Sequence, residues 1–163
     1  MKRVFKVLAI ILLSIIAVLL IGLIALAVNS PGELEPLKDK DGKEIPGSLT
    51  EKSFTVIGGI QQGYFIRSEN TENPVILFLH GGPGSPEFAM FSPLETSERL
   101  EKYFTVCYWD QRGAGMSFSN SLDPATITLD QMVEDTRQMT EYLQKRFNQD
   151  KIYLMGHSWG TYL

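Results

Sequence analysis

The chain has one cysteine and two histidines in 163 residues. A single thiol, Cys107, closes no internal disulfide, so no disulfide framework holds this fold. His80 and His157 stand far apart, and no His/Cys cluster has metal-ligand spacing, so neither a metal nor a cofactor is expected. Positive charge is also scarce. The net charge is −4, and it falls to −7 once the three cations Lys2, Arg3 and Lys6 are set aside. An acidic remainder of this kind argues against nucleic acid as a partner. No internal repeat is visible.

What the chain does have begins with one long apolar run. Val7 to Val28 carries no charge, interrupted only by Ser14 and Gly22. At about 1.5 Å of helical rise per residue it reaches about 33 Å, enough for a hydrocarbon core about 30 Å thick. The cations before it predict a cytoplasmic N-terminus, with the remainder outside. Ala25-Leu26-Ala27 leaves a second reading open, a signal peptide removed after export. The division expected is an anchor or signal over 1–28, a polar Pro- and Gly-containing linker over 29–48, and a folded domain over 49–163.

In that domain, Ser53 to Gly59 and Gln61 to Arg67 read as two strands joined at a glycine turn. Val75 to Leu79 is a continuous apolar run, suited to a strand covered on both faces. Ser92-Pro93-Leu94-Glu95 is a capping box opening a helix to about Lys102, and Tyr103 to Trp109 is another strand. Thr128-Leu129-Asp130-Gln131 opens a longer helix with apolar residues at Leu129, Met132, Val133, Met139, Leu143 and Phe147. Ile152 to Met155 is the last strand. Strands alternating with helices predict an α/β fold with a mostly parallel sheet.

Two motifs carry chemistry, and each follows a strand. Gly156-His157-Ser158-Trp159-Gly160 is a G-x-S-x-G sequence. A sharp strand-to-helix turn lifts such a serine out of the sheet, and glycines two residues to either side make the turn possible. A serine hydroxyl needs an adjacent base and donors for the oxyanion that forms on attack. Trp159 would supply one such amide. His80-Gly81-Gly82-Pro83-Gly84 follows the Val75–Leu79 run, and its bare backbone at Gly81 or Gly82 would supply another. The Lys-Ser/Thr ending of a phosphate-binding loop is missing there. Adjacent residues on an extended chain point to opposite sides, so His157 is expected to face away from the Ser158 hydroxyl. His80 reads as a loop-orienting residue. Asp110 and Arg112 are expected to pair and brace their loop against the glycine loop. Cys107, inside an apolar strand, reads as an inert buried thiol.

HGGPG, then DQRGAGMS, then GHSWG together resemble the α/β-hydrolase superfamily, and within it the prolyl aminopeptidase (proline iminopeptidase) group of serine peptidases. The resemblance covers Ser53 to Leu163. It implies release of N-terminal residues from small peptides, with Ser158 as nucleophile and Gly82 and Trp159 as oxyanion donors. That group usually carries Gly-Gly-Ser-Trp-Gly; His157 departs from it and leaves a more general peptidase or an esterase open. Epoxide hydrolases and dehalogenases are disfavoured, because their elbow carries aspartate. In the superfamily the acid and histidine follow the nucleophile in the chain. The resemblance therefore puts both, with the substrate cap, after Leu163, and the 163-residue chain alone is expected to hydrolyse little or nothing. A non-catalytic membrane-anchored fragment is the alternative.

Overall fold

The structure is a computed structural model that describes residues 2–28, 32–88 and 99–163. It forms two compact units, Met1–Leu34 and Glu35–Leu163. The first unit is a helix, α1, over Lys2–Val28. Its large apolar side chains are exposed from Val4 to Val28, and by length and composition it can cross a membrane. A signal sequence near the N-terminus passes the same test of length and composition.

The second unit is built on a five-stranded sheet. Strands β1 (Leu49–Ile57) and β2 (Ile60–Ser68) form an antiparallel hairpin. Gly58 and Gly59 turn it with φ of 55° and 79°, the left-handed backbone that matches the twist of the two strands. Strands β3 (Val75–Leu79) and β4 (Thr105–Trp109) pair in parallel, and β5 (Tyr153–Gly156) pairs in parallel with β3. The order across the sheet is β1-β2-β4-β3-β5, with β2 antiparallel to β4. Every residue of β3 and β4 is buried, as the unbroken apolar run of β3 predicts for that strand. All four residues of β5 are exposed at one sheet edge.

Helix α2 spans Leu129–Phe147. Thr128 caps it by accepting from the Gln131 amide at 3.2 Å, and Asn148 ends it in the left-handed conformation, φ 51°. Its inward face is Met132, Asp135, Thr136, Met139 and Leu143. Leu129 and Val133, expected on that face, are exposed; a carboxylate takes the space, for a reason given below. Met139 and Leu143 pack with Ile57, Tyr64, Ile66, Leu77, Leu79, Cys107 and Trp109 in one core.

Part of the segment expected as linker packs with this unit. Leu37 is fully buried. Ile45 N–H donates to Leu37 O at 2.9 Å, and Asp39 N–H to Lys43 O at 2.7 Å, closing a tight turn. Arg99 Nη2 donates to Lys38 O at 2.8 Å and its guanidinium pairs with Glu69 at 2.7 Å, holding the turn down. The capping box at Ser92 to Glu95 lies outside the described residues; Leu100–Lys102, at the end of that expected helix, is a short 3-10 turn.

Candidate active site

Two loops meet beyond the ends of β3 and β5. After β5 the chain stays extended at His157 (φ −115°, ψ 131°) and then turns sharply at Ser158, where φ is +48°. A left-handed backbone is strained for serine and persists only where the surroundings enforce it. The chain then enters a 3-10 turn, Ser158–Tyr162. Ser158 itself is exposed. Two glycines make this possible. A Cβ on Gly156 would lie 2.5 Å from Gly160 O, and a Cβ on Gly160 would lie 2.0 Å from Leu79 O. His157 N–H donates to Leu79 O at 3.0 Å, tying the turn to the end of β3. Trp159 is the second residue of the turn, where an amide has no partner within its own helix. Its ring stacks on Tyr162.

The glycine loop faces this turn. A Cβ on Gly81 would lie 3.2 Å from His157 Nδ1, 3.3 Å from Glu87 Oε1 and 3.4 Å from Ser158 Cβ. A side chain there would press on all three. Gly82 has φ 114°, and a Cβ on it would press on the Gly84 and Ser85 amides at 2.8 and 2.9 Å. The Gly81 N–H is already engaged by Glu87 Oε1 at 3.3 Å.

His80 is buried and locks this loop to the one after β4. The Gln111 amide donates to His80 Nε2 at 3.1 Å, and Gln111 Nε2 donates to His80 O at 3.0 Å. An Nε2 that accepts leaves the proton on Nδ1, which donates to Gly81 O at 2.9 Å. His157 Nδ1 contacts Glu87 Oε1. Among the described residues no hydrogen bond joins the Ser158 hydroxyl to either imidazole.

The expected Asp110–Arg112 pair does not form. Arg112 reaches the other way, to Asp135 on α2, through Nε–Oδ2 at 2.8 Å and Nη2–Oδ1 at 3.0 Å, and it also donates to Gly58 O at 2.9 Å. It braces the β1–β2 turn rather than the glycine loop. Asp135 is fully buried, and Gln62 Nε2 and Gln131 Nε2 each donate to it at 2.8 Å. Gln62 Oε1 in turn accepts from Trp109 Nε1 at 3.0 Å. A buried charge needs this many partners, which is why α2 turns Asp135 inward at the expense of Leu129 and Val133. Asp110 Oδ2 instead accepts from the Met116 amide at 2.7 Å. Burial raises the Asp110 pKa, opposed by the Met116 hydrogen bond and by nearby His80. Burial also pushes the Cys107 thiol up, in keeping with an inert core cysteine. Sequence reasoning missed Glu87, Gln111, Gln62 and Asp135, whose partners are 6 to 73 residues away along the chain.

A family model described as alpha/beta hydrolase fold matches residues 74–163, more than half of the chain. The chain belongs to that family. Among curated proteins it is 42% identical over 107 residues to a probable aminopeptidase, YbaC, of Bacillus subtilis (strain 168), across 66% of this chain and 33% of that protein. It is 33% identical over 114 residues to a proline iminopeptidase of Heyndrickxia coagulans, across 70% of this chain and 36% of that one. Among solved structures, a proline iminopeptidase-related protein from Thermus thermophilus superposes with a TM-score of 0.52 at 30% identity, over 69% of this chain and 37% of that one. The chain spans about a third of the length of the curated relatives it matches.

Proposed function

We propose that this chain carries the nucleophile and oxyanion donors of a serine hydrolase of aminopeptidase type, held at a membrane by α1. The observation that carries the reading is Ser158: an exposed residue on a left-handed turn, with its Cβ beside the glycine loop. The hydroxyl oxygen attacks the carbonyl carbon of the N-terminal residue, and its proton passes to a base. The amides of Gly82 and Trp159 donate to the oxyanion. Of the two loop glycines, Gly82 is preferred because the Gly81 amide already serves Glu87. Collapse expels the peptide amine, which takes up a proton, and leaves an ester on Ser158 that water then hydrolyses.

His80, Gln111 and Arg112 position the loops. Neither histidine in this chain is hydrogen-bonded to Ser158. In the family resemblance the triad's acid and histidine come later in the chain than the nucleophile. An oxyanion hole and substrate binding alone retain about 10³–10⁴ over water in triad enzymes that have lost a member. Lys2, Arg3 and Lys6, in the first turns of α1 ahead of its uncharged stretch, argue for a hydrolase unit outside the cytoplasm, either anchored or released by cleavage near Ala27. An esterase is the second reading, favoured by His157 in place of the usual glycine.

The test is intact-mass spectrometry of the chain incubated with prolyl and alanyl p-nitrophenyl esters. A single slow acyl adduct on Ser158, lost in Ser158→Ala, supports the reading. No adduct, or an adduct that survives Ser158→Ala, contradicts it.

A further inference from the structure

The direction of the Gly82 amide depends on Gly81. With no side chain, Gly81 has two soft torsions between the His80–Gly81 peptide and the trans Gly81–Gly82 peptide. Both peptides are held. Gly81 O accepts from His80 Nδ1 at 2.9 Å and from the Ser85 amide at 3.3 Å. In a trans peptide the N–H points opposite to the C=O, so these bonds aim the Gly82 N–H away from the His80 ring. Gly81 N–H, on the preceding peptide, donates to Glu87 Oε1 at 3.3 Å. The same oxygen contacts His157 Nδ1, and a carboxylate oxygen accepts, so the ring donates. One oxygen thus joins the glycine loop to the residue before Ser158. Glu87 is itself fixed. Its side chain is 5% exposed, and the next residue, Phe88, is buried with its ring stacked on Phe65 of β2, centroids 4.1 Å apart, and tilted on Tyr108 of β4. The His157 side chain, by contrast, is 63% exposed. Packing does not hold that ring; the carboxylate does.

We propose that Glu87 and His157 are paired positioning residues, which together set the Gly82 amide against Ser158. The inference rests on the serine hydrolase reading and deepens it. Neither residue is a fixed position of HGGPG or of G-x-S-x-G, and neither touches the reacting atoms in this account. Glu87 removes the freedom of the peptide before Gly81, as His80 removes that of the peptide after it. His157 carries the constraint across to the elbow, where a Cβ on Gly81 would already lie 3.4 Å from Ser158 Cβ. A buried carboxylate is costly unless N–H groups meet it. Here the two N–H groups that meet it come from the two loops whose spacing decides catalysis. Without the tie, Gly81 turns freely, its own amide is released, and the oxyanion donors lose the alignment on which their effect depends.

The test is fluorophosphonate labelling of Ser158 in the full chain in detergent micelles, with the saturating rate and the half-saturating concentration measured separately. His157→Ala is expected to lower the saturating rate at least about tenfold and to leave the half-saturating concentration within about twofold. Its melting temperature should stay that of the unaltered chain, because the side chain is exposed. His157→Asn puts an amide N–H close to where Nδ1 stands, and should bring the rate back to within about threefold. In a folded Glu87→Leu chain the tie is already gone, so adding His157→Ala should cost less than about twofold more. Labelling that His157→Ala leaves unchanged, a loss that Asn does not restore, a loss seen only in the half-saturating concentration, or additive effects of the two substitutions overturns the proposal alone. No labelling of Ser158 in the unaltered chain overturns the hydrolase reading, and the proposal with it.

Discussion

Gly160 lies so close to Leu79 that a Cβ on it would stand 2.0 Å from the Leu79 carbonyl oxygen. The elbow is seated on the end of β3 by this contact, with His157 N–H donating to the same carbonyl at 3.0 Å. Backbone meets backbone here, so neither side has a flexible end that can give way. Gly160→Ala is expected to destabilise the folded unit by about 3 kcal/mol. Gly84→Ala, with nothing within 4 Å and only a left-handed φ of 84° to strain, should lose about 1 kcal/mol. Urea denaturation followed by tryptophan fluorescence separates the two.

Arg112 and Asp135 form the ion pair that holds α2 to the β1–β2 turn, with side chains 2% and 0% exposed. Removing one partner strands the other charge in the interior. Arg112→Met is expected to destabilise by about 3–5 kcal/mol, while Arg112→Met with Asp135→Leu recovers most of the loss. A double-mutant cycle on denaturation midpoints measures the coupling, and an additive pair of losses contradicts it.

Asp110 gives the stability a pH dependence of defined sign. Burial raises its folded-state pKa, so the folded state binds its proton more tightly than the unfolded state does. The stabilisation this provides is complete below the unfolded carboxylate range. It is lost as pH rises through the raised folded value. Asp110→Asn keeps an oxygen for the Met116 amide and should flatten that decline. Melting temperatures between pH 4 and pH 8, in parallel for both proteins, check the sign.

Ser158 is strained for the sake of its exposed position, φ +48°. Ser158→Gly removes the steric penalty and is expected to raise stability by about 1 kcal/mol while abolishing acylation. A loss of stability in this variant would mean that the turn is not strained.

The parts of this molecule legible in its sequence are those fixed by local pattern. The apolar run of β3 predicts a strand buried on both faces, and every residue of it is buried. Thr128 and Gln131 mark the start of α2 and are joined there by a hydrogen bond. G-x-S-x-G after a strand announces the turn found at Ser158. The illegible parts depend on which residues the fold brings together. Arg112 has Asp110 as its nearest acid in sequence, yet it meets Asp135, because α2 crosses the β1–β2 turn. The apolar periodicity of α2 points Leu129 and Val133 inward, but the need to partner Arg112 places Asp135 there. Leu37 gives no periodic signal, only an isolated apolar side chain that finds the core. Glu87 follows the glycine loop with no motif of its own, and only the approach of His157 from the far end of the chain gives it a setting.

The central claim is that Ser158 sits on a nucleophile elbow served by the glycine-loop backbone. Fluorophosphonate labelling tests it most directly, since the phosphoryl oxygen must lodge where the oxyanion would. The account predicts slow, stoichiometric modification of Ser158 located by peptide mapping, at least about tenfold slower in a folded Gly82→Ala variant. Modification at several serines alike, or at Ser158 with an unchanged rate in Gly82→Ala, would contradict it.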